Sequence, residues 1–251
     1  MKTAWISDDV LKWTPQTESG VFLDVRNTQR SYDHLFRAEH FLNSPGQTSA
    51  ADRADCISNL RKCLTHRLHL FERIYNLRGL ASVGKKHSYL TILAEFGVVR
   101  PFLLQRLLRV RNAIEYRDVI PPSAARCREF IDVTWYFLRS TDSLLSVQRA
   151  GFILRSIDSS DAESPYWISS DISYRPRFKA TVTGWIPFEL VFKSPQTSAI
   201  QFRGDIHTRG QRWPKGEHAD KRPGDVWIDG RLLPLAEQGV QIITAAFNCL
   251  T

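Results

Sequence analysis

The stretch Leu107-Leu108-Arg109-Val110-Arg111-Asn112-Ala113-Ile114-Glu115-Tyr116-Arg117-Asp118 sets an arginine beside an asparagine, with a tyrosine four residues beyond. A guanidinium is a permanent cation whose planar fork matches the oxygens of a phosphate, so Arg111 suits phosphate contact. Asn112 offers a donor and an acceptor. The Tyr116 phenol, of a type with a reference pKa of about 10, is almost wholly protonated at neutral pH; it can donate a hydrogen bond but makes a poor general base. The plainer reading is an ordinary solvated helix face that ends before Pro121-Pro122.

Other residues offer weaker chemistry. His66 and His69 stand one helical turn apart, a spacing compatible with metal ligation, but no cysteine or carboxylate cluster around them completes a site. A partly exposed pair is expected, and no metal or cofactor is. The segment from Arg203 to Arg222 carries Arg209, Arg212, Lys215 and Lys221 beside Trp213 and His207. Cations around a stackable ring hold single-stranded nucleic acid. The same mixture anchors protein partners, since Trp and Arg are enriched at interface hot spots, and Asp205, Glu217 and Asp220 dilute the charge. Both readings stand. Arg61, Lys62 and Arg67, with Arg100, Arg106, Arg109, Arg111 and Arg117, could line a positive groove, which Glu72, Glu95 and Glu115 could neutralise.

These residues need a scaffold, and the 251-residue chain is long enough for two modules of roughly 100–150 residues. An apolar fraction of 43%, with seven Trp and fourteen Phe, supplies real cores. A formal charge of +8 favours polyanions, although it serves solubility equally well. No run approaches the roughly 20 apolar residues that span a bilayer, and the first residues turn polar too early for a signal peptide, so a cytoplasmic protein without membrane contact is expected. On a helix Cys56 and Cys63 would lie about 10 Å apart, beyond the roughly 7 Å a disulfide tolerates, which fits reduced thiols.

Residues 1–48 read as a segment of mixed structure, with a short helix after Ser7 and a strand-like Val21–Val25, closed by the turn Asn43-Ser44-Pro45-Gly46. Residues 49–157 read as a helical bundle. Ile57, Leu60, Leu64, Leu68 and Phe71 recur at steps of three and four up to Gly79 and Gly84. A second helical stretch runs from Ser88 to Glu95 and resumes after Pro101, and a third long helix follows Pro121-Pro122-Ser123. Residues 158–251 read as a β-rich domain with strands at 166–172, 178–183, 188–192, 199–206, 225–228 and 240–247, able to take a strand from the N-terminal segment. The fold class expected is α+β.

Glu95-Phe96-Gly97-Val98-Val99-Arg100-Pro101, the Arg111-Asn112 pair and the helix from Phe130 to Asp142 resemble the signature of the HEPN family (higher eukaryotes and prokaryotes nucleotide-binding) over about 100 residues. That family includes metal-independent endoribonucleases of antiviral defence and toxin–antitoxin systems, and the resemblance implies a homodimer that brings two motifs together. It implies that Arg111 contacts the scissile phosphate and Asn112 orients the site, while Tyr116 stands where the family has histidine. Metal-free RNA cleavage moves protons near neutral pH, for which histidine, at about 6.5, is suited and tyrosine is not.

The resemblance therefore implies an RNA-binding or RNA-targeting defence protein whose ribonuclease activity is impaired in principle. Arg109 and Arg117 would join Arg209, Arg212, Trp213 and Lys215 in contacting nucleic acid. The alternative is a non-catalytic subunit that dimerises through its bundle and recruits a protein partner through its β domain.

Overall fold

The computed structural model describes residues 2–23, 26–43, 49–79, 88–156, 166–208 and 225–248. The fold is α+β, and its two compact units do not follow the boundaries expected at 48 and 157. One unit comprises Met1–Val21, Leu77–Lys85 and Arg149–Thr251; the other comprises Phe22–Asn76 and Lys86–Gln148. The helical unit is thus inserted into the chain of the sheet unit. The physical reason is strand pairing: the N-terminal residues find their hydrogen-bond partners in the C-terminal sheet, not in the helices that follow them.

Five helices among the described residues build the helical unit: α1 (Arg26–Asn43), α2 (Ala50–Tyr75), α3 (Tyr89–Glu95), α4 (Phe102–Arg117) and α5 (Ala124–Ser146). Capping residues fix where they start. Ser49 accepts the Asp52 N–H while the Asp52 carboxylate accepts the Ser49 N–H, a reciprocal box that opens α2. Ser88 and Ser123 cap α3 and α5 in the same way, each accepting an N–H three residues on. Helix α2 stops at Asn76, in the left-handed region at φ 44°, three residues before the expected Gly79, which lies in a short 3-10 turn. Asn performs the C-capping role usually given to glycine.

Helix α1 was hidden in the polar N-terminal segment. Its Leu35, Ala38 and Leu42 fall on one face and are buried against Ile57, Leu60 and Leu64 of α2 and Phe130 and Leu138 of α5. Each such large side chain stabilises the unit by about 1.5–3 kcal/mol. Across this core runs a polar staple. Arg67 is fully buried; its Nε donates to Thr141 Oγ1 at 3.0 Å, and its Nη2 donates to the Leu138 carbonyl and the Asp142 carboxylate. The Tyr32 hydroxyl donates to the same carboxylate at 2.6 Å, so α1, α2 and α5 meet in one network. Arg67 therefore belongs to the interior and not to the basic groove the sequence suggested.

The sheet unit is an eight-stranded sheet in the order β2-β3-β4-β5-β8-β7-β1-β6, with β1 (Lys2–Ser7), β2 (Thr14–Phe22), β3 (Val147–Arg155), β4 (Trp167–Ser173), β5 (Lys179–Ile186), β6 (Val191–Phe192), β7 (Ala199–Thr208) and β8 (Val226–Leu233). The expected loan of an N-terminal strand is found: β1 pairs antiparallel with β7, Trp5 opposite Gln201. Alternating burial along β4 and β5 marks a sheet with one covered face. Trp167, Trp185 and Trp227 stand in register across β4, β5 and β8, with ring centroids 5.6–5.8 Å apart for the two contacts to Trp227. Gly204 and Gly230 pair directly under the Phe202 ring; a Cβ on Gly230 would meet the Gly204 Cα at 2.5 Å and the ring at 2.7 Å.

Two elements differ from expectation. Val147–Arg155 is a strand, not the end of the helical region. Residues 240–247, expected as a strand, lie in α6 (Ala236–Asn248). Its buried Gln238, Ile242, Ile243 and Ala246 follow helical steps, and Gln238 anchors it by accepting the Leu235 N–H and donating to the Ala199 carbonyl. The expected strand at 188–192 is a 3-10 turn followed by the two-residue β6. No helix among the described residues is long and apolar enough to cross a membrane.

Candidate nucleic-acid interface

Helix α4 presents two faces of opposite character. Leu104 and Leu107 are buried in the helical core, and Leu108 and Ile114 pack partly against it. Arg111 continues that inward stripe, since steps of three and four lead from Leu104 through Leu107 and Arg111 to Ile114. Its side chain is only 11% exposed and its head is ion-paired with Glu115, one turn on. Arg111 Nη1 donates a 3.3 Å hydrogen bond to the Asn112 side-chain oxygen, and the guanidinium lies 5.6 Å from the centroid of the Tyr116 ring.

The three residues singled out for chemistry are therefore neighbours, but they do not converge on an open reaction centre. At about 100° per residue, Arg111 leaves the helix axis roughly 140° away from Tyr116. The arginine is spent on Glu115, while Tyr116 is 73% exposed and Asn112 is exposed. No histidine joins them on α4. His66 lies on α2, where its neighbours are residues of α1 and α2.

The outward face of α4 was less obvious in the sequence. Phe102, Arg106, Arg109, Asn112 and Tyr116 follow at steps of four, three, three and four, and all are exposed. Arg117 is exposed beside them. None of Arg106, Arg109 and Arg117 is ion-paired among the described residues, and the helix's single carboxylate, Glu115, is occupied by Arg111. Of the nucleic-acid contacts expected from the sequence, Arg109 and Arg117 join this face; Arg209, Arg212, Trp213 and Lys215 lie outside the described residues. Arg106, named from the sequence among the cations of a possible groove, joins it too, and Phe102 is an addition, findable by extending the helical period outward as well as inward.

A second basic feature is concave. Between α1 and α2 lies an open cleft with a volume of about 470 Å³, lined by Arg30 and His34 from one helix and Arg61, Lys62, His66 and His69 from the other. Ser31, fully buried, places its hydroxyl oxygen 2.9 Å from His66 Nδ1 and fixes that ring. Burial, then the nearby Arg30, His34 and His69, hold the His66 pKa below its usual value; burial, then Arg37, Arg30 and Lys62, do the same for His34. The His66 and His69 pair suggested by sequence thus acquires a third imidazole, yet no group of three or more His, Cys, Asp or Glu among the described residues is placed to hold a metal ion. The thiols of the unit are buried and free; burial pushes Cys63 up to about 12, which makes it inert at neutral pH.

No family model matches the chain, and no curated protein or solved structure matches it.

Proposed function

We propose that the helical unit binds RNA through the outward face of α4, as a HEPN-like module that holds its strand without cutting it. The observation that carries this reading is the exposed row of Phe102, Arg106, Arg109 and Tyr116, with Arg117 beside it and no free carboxylate on the helix. Rings supply stacking to unpaired bases, and arginines supply phosphate contacts that release counterions. Cleavage is not part of the proposal: Tyr116 is a poor base, and Arg111 is already paired with Glu115. A place in a prokaryotic defence or toxin–antitoxin system, and a homodimer that doubles the face, follow from the HEPN resemblance and belong to the proposal.

The test is binding of a mixed-sequence single-stranded RNA by the purified protein in EDTA, followed over a salt series. The proposal expects binding without cleavage and a steep loss of affinity with salt. Substituting Arg106→Ala and Arg109→Ala together should lower the salt slope by about 1.4, at about 0.7 per lost phosphate contact on a single strand. Cleavage in EDTA would overturn the non-cutting part, and unchanged binding by the double variant would overturn the choice of face.

A second reading has its own observation. Beyond α4, Val119 is 48% and Ile120 81% exposed, and with Phe102 at 65% they leave apolar surface at both ends of the helix. Such surface suits a partner protein. A non-catalytic interaction subunit would bind RNA negligibly at all salt concentrations, and Ile120→Asp would disrupt its assembly.

A further inference from the structure

The cleft between α1 and α2 gathers charge of one sign with nothing to balance it. Arg30, Arg61 and Lys62 line it, no carboxylate does, and none of the three is ion-paired among the described residues. Like charges so placed repel one another, and the cost is recovered when an anion sits among them. The three imidazoles add donors of a different kind. When the Ser31 hydroxyl donates to His66 Nδ1, the neutral ring carries its proton on Nε2, leaving that N–H for a ligand. His34 keeps its Nδ1 buried without a hydrogen-bond partner, and burial outweighs the Asn59 side chain in disfavouring an imidazolium there. Thr65, also on the lining, contributes a hydroxyl. Cations, imidazoles and a hydroxyl thus line one cleft between two helices instead of following a track along one.

We infer that this cleft is a binding site for a phosphate monoester, either a free phosphate compound or the terminal phosphate of an RNA strand. Three cations grouped around one cleft favour the monoester. It carries nearly two negative charges and three terminal oxygens on one phosphorus, whereas a backbone diester carries one charge and two such oxygens. The volume of about 470 Å³ lies within the range of small-ligand sites, roughly 300–1,000 Å³, and the open mouth admits the rest of a strand. The strand-end source rests on the RNA reading of α4; the phosphate site itself does not.

The experiment titrates the full-length protein with inorganic phosphate by calorimetry, and with RNA oligonucleotides ending in a 5′-phosphate, a 3′-phosphate or hydroxyls by fluorescence anisotropy. The site predicts phosphate binding that falls about tenfold or more in Arg30→Gln with Lys62→Gln, both exposed positions, as expected for lost charge-assisted hydrogen bonds. Arg106→Ala with Arg109→Ala should leave phosphate binding unchanged. On the wild type, side-chain ¹⁵N spectra should show His66 and His34 moving on phosphate addition, a readout that needs no variant. A preference for phosphorylated RNA identifies the strand end as the ligand; phosphate binding without that preference identifies a free compound. Failure of phosphate to shift either imidazole, or equal phosphate binding by wild type and variant, overturns the inference. Loss of hydroxyl-ended RNA binding in the α4 variant with phosphate binding intact keeps the two readings separate.

Discussion

The outward face of α4 and the α1–α2 cleft are built from the same stock of arginines with rings beside them, yet one is convex and the other concave. On α4 the cations are spread at helical steps with Phe102 before and Tyr116 after Arg106 and Arg109, so each can meet a different phosphate. In the cleft two helices bring cations and imidazoles around one concavity, so several can face the same ligand. Curvature, more than composition, separates a surface suited to a chain from a pocket suited to its end. Arg67 and Arg111 show the third use of the same side chain: both are largely covered, Arg67 completely, and both are paired with a carboxylate.

The sharpest way to break that comparison is to remove an inward arginine. Arg67→Ala should cost the helical unit about 3 kcal/mol or more in urea unfolding, because it removes the buried guanidinium that ties Thr141, the Leu138 carbonyl and Asp142 together and leaves a cavity in its place. Leu60→Ala, at a site with no exposure, should cost about 2–5 kcal/mol by the same measurement, as cavity and transfer costs add. If Arg67→Ala proved neutral while Leu60→Ala did not, the staple would be incidental and the arginine available after all.

On the binding side, Tyr116→Ala should weaken single-stranded RNA binding by about 1–3 kcal/mol in anisotropy titrations if its ring stacks on a base. The effect of Arg111→Ala on the salt slope should be nil, because its charge is already compensated by Glu115. A reduced slope for Arg111→Ala would mean that the ion pair opens on binding, and would restore the family-style role.

The smallest effect expected is on pH. His34 and His66 have folded pKa values below the ordinary one, so the unfolded chain binds more protons as pH falls through about 6.5. Their contribution to stability is fully present above that pH and is lost as the solution is acidified below it. Urea midpoints should therefore decline from pH 7 to pH 5, less so with saturating phosphate, and the decline should shrink in His66→Gln.

The sequence displayed the helical unit where apolar period and caps agreed: Ser49, Ser88, Pro101 and Ser123 each stand beside the start of a helix. It concealed α1 because the Leu35, Ala38 and Leu42 stripe is narrow and embedded in charged residues. Helix α6 was misread because Val240, Ile242 and Ile243 are β-branched, and a short run of such residues has no period that separates helix from strand. The α4 motif is visible as spacing, but spacing does not reveal that Arg111 is ion-paired with Glu115 and lies against the Tyr116 ring. The cleft was out of reach for a related reason: Arg30 and His34, a third of its basic lining, come from α1, the helix that local pattern did not reveal.

The pairing of β1 with β7 joins Trp5 to Gln201. At a synthesis rate of about 5–20 residues per second, roughly 10–40 seconds separate the first strand from its partner on the ribosome. The helices, whose contacts close over shorter stretches, have time to assemble in that interval, whereas the β1 edge must wait unpaired. Chain order thus lets the bundle assemble while the sheet still awaits its last strands.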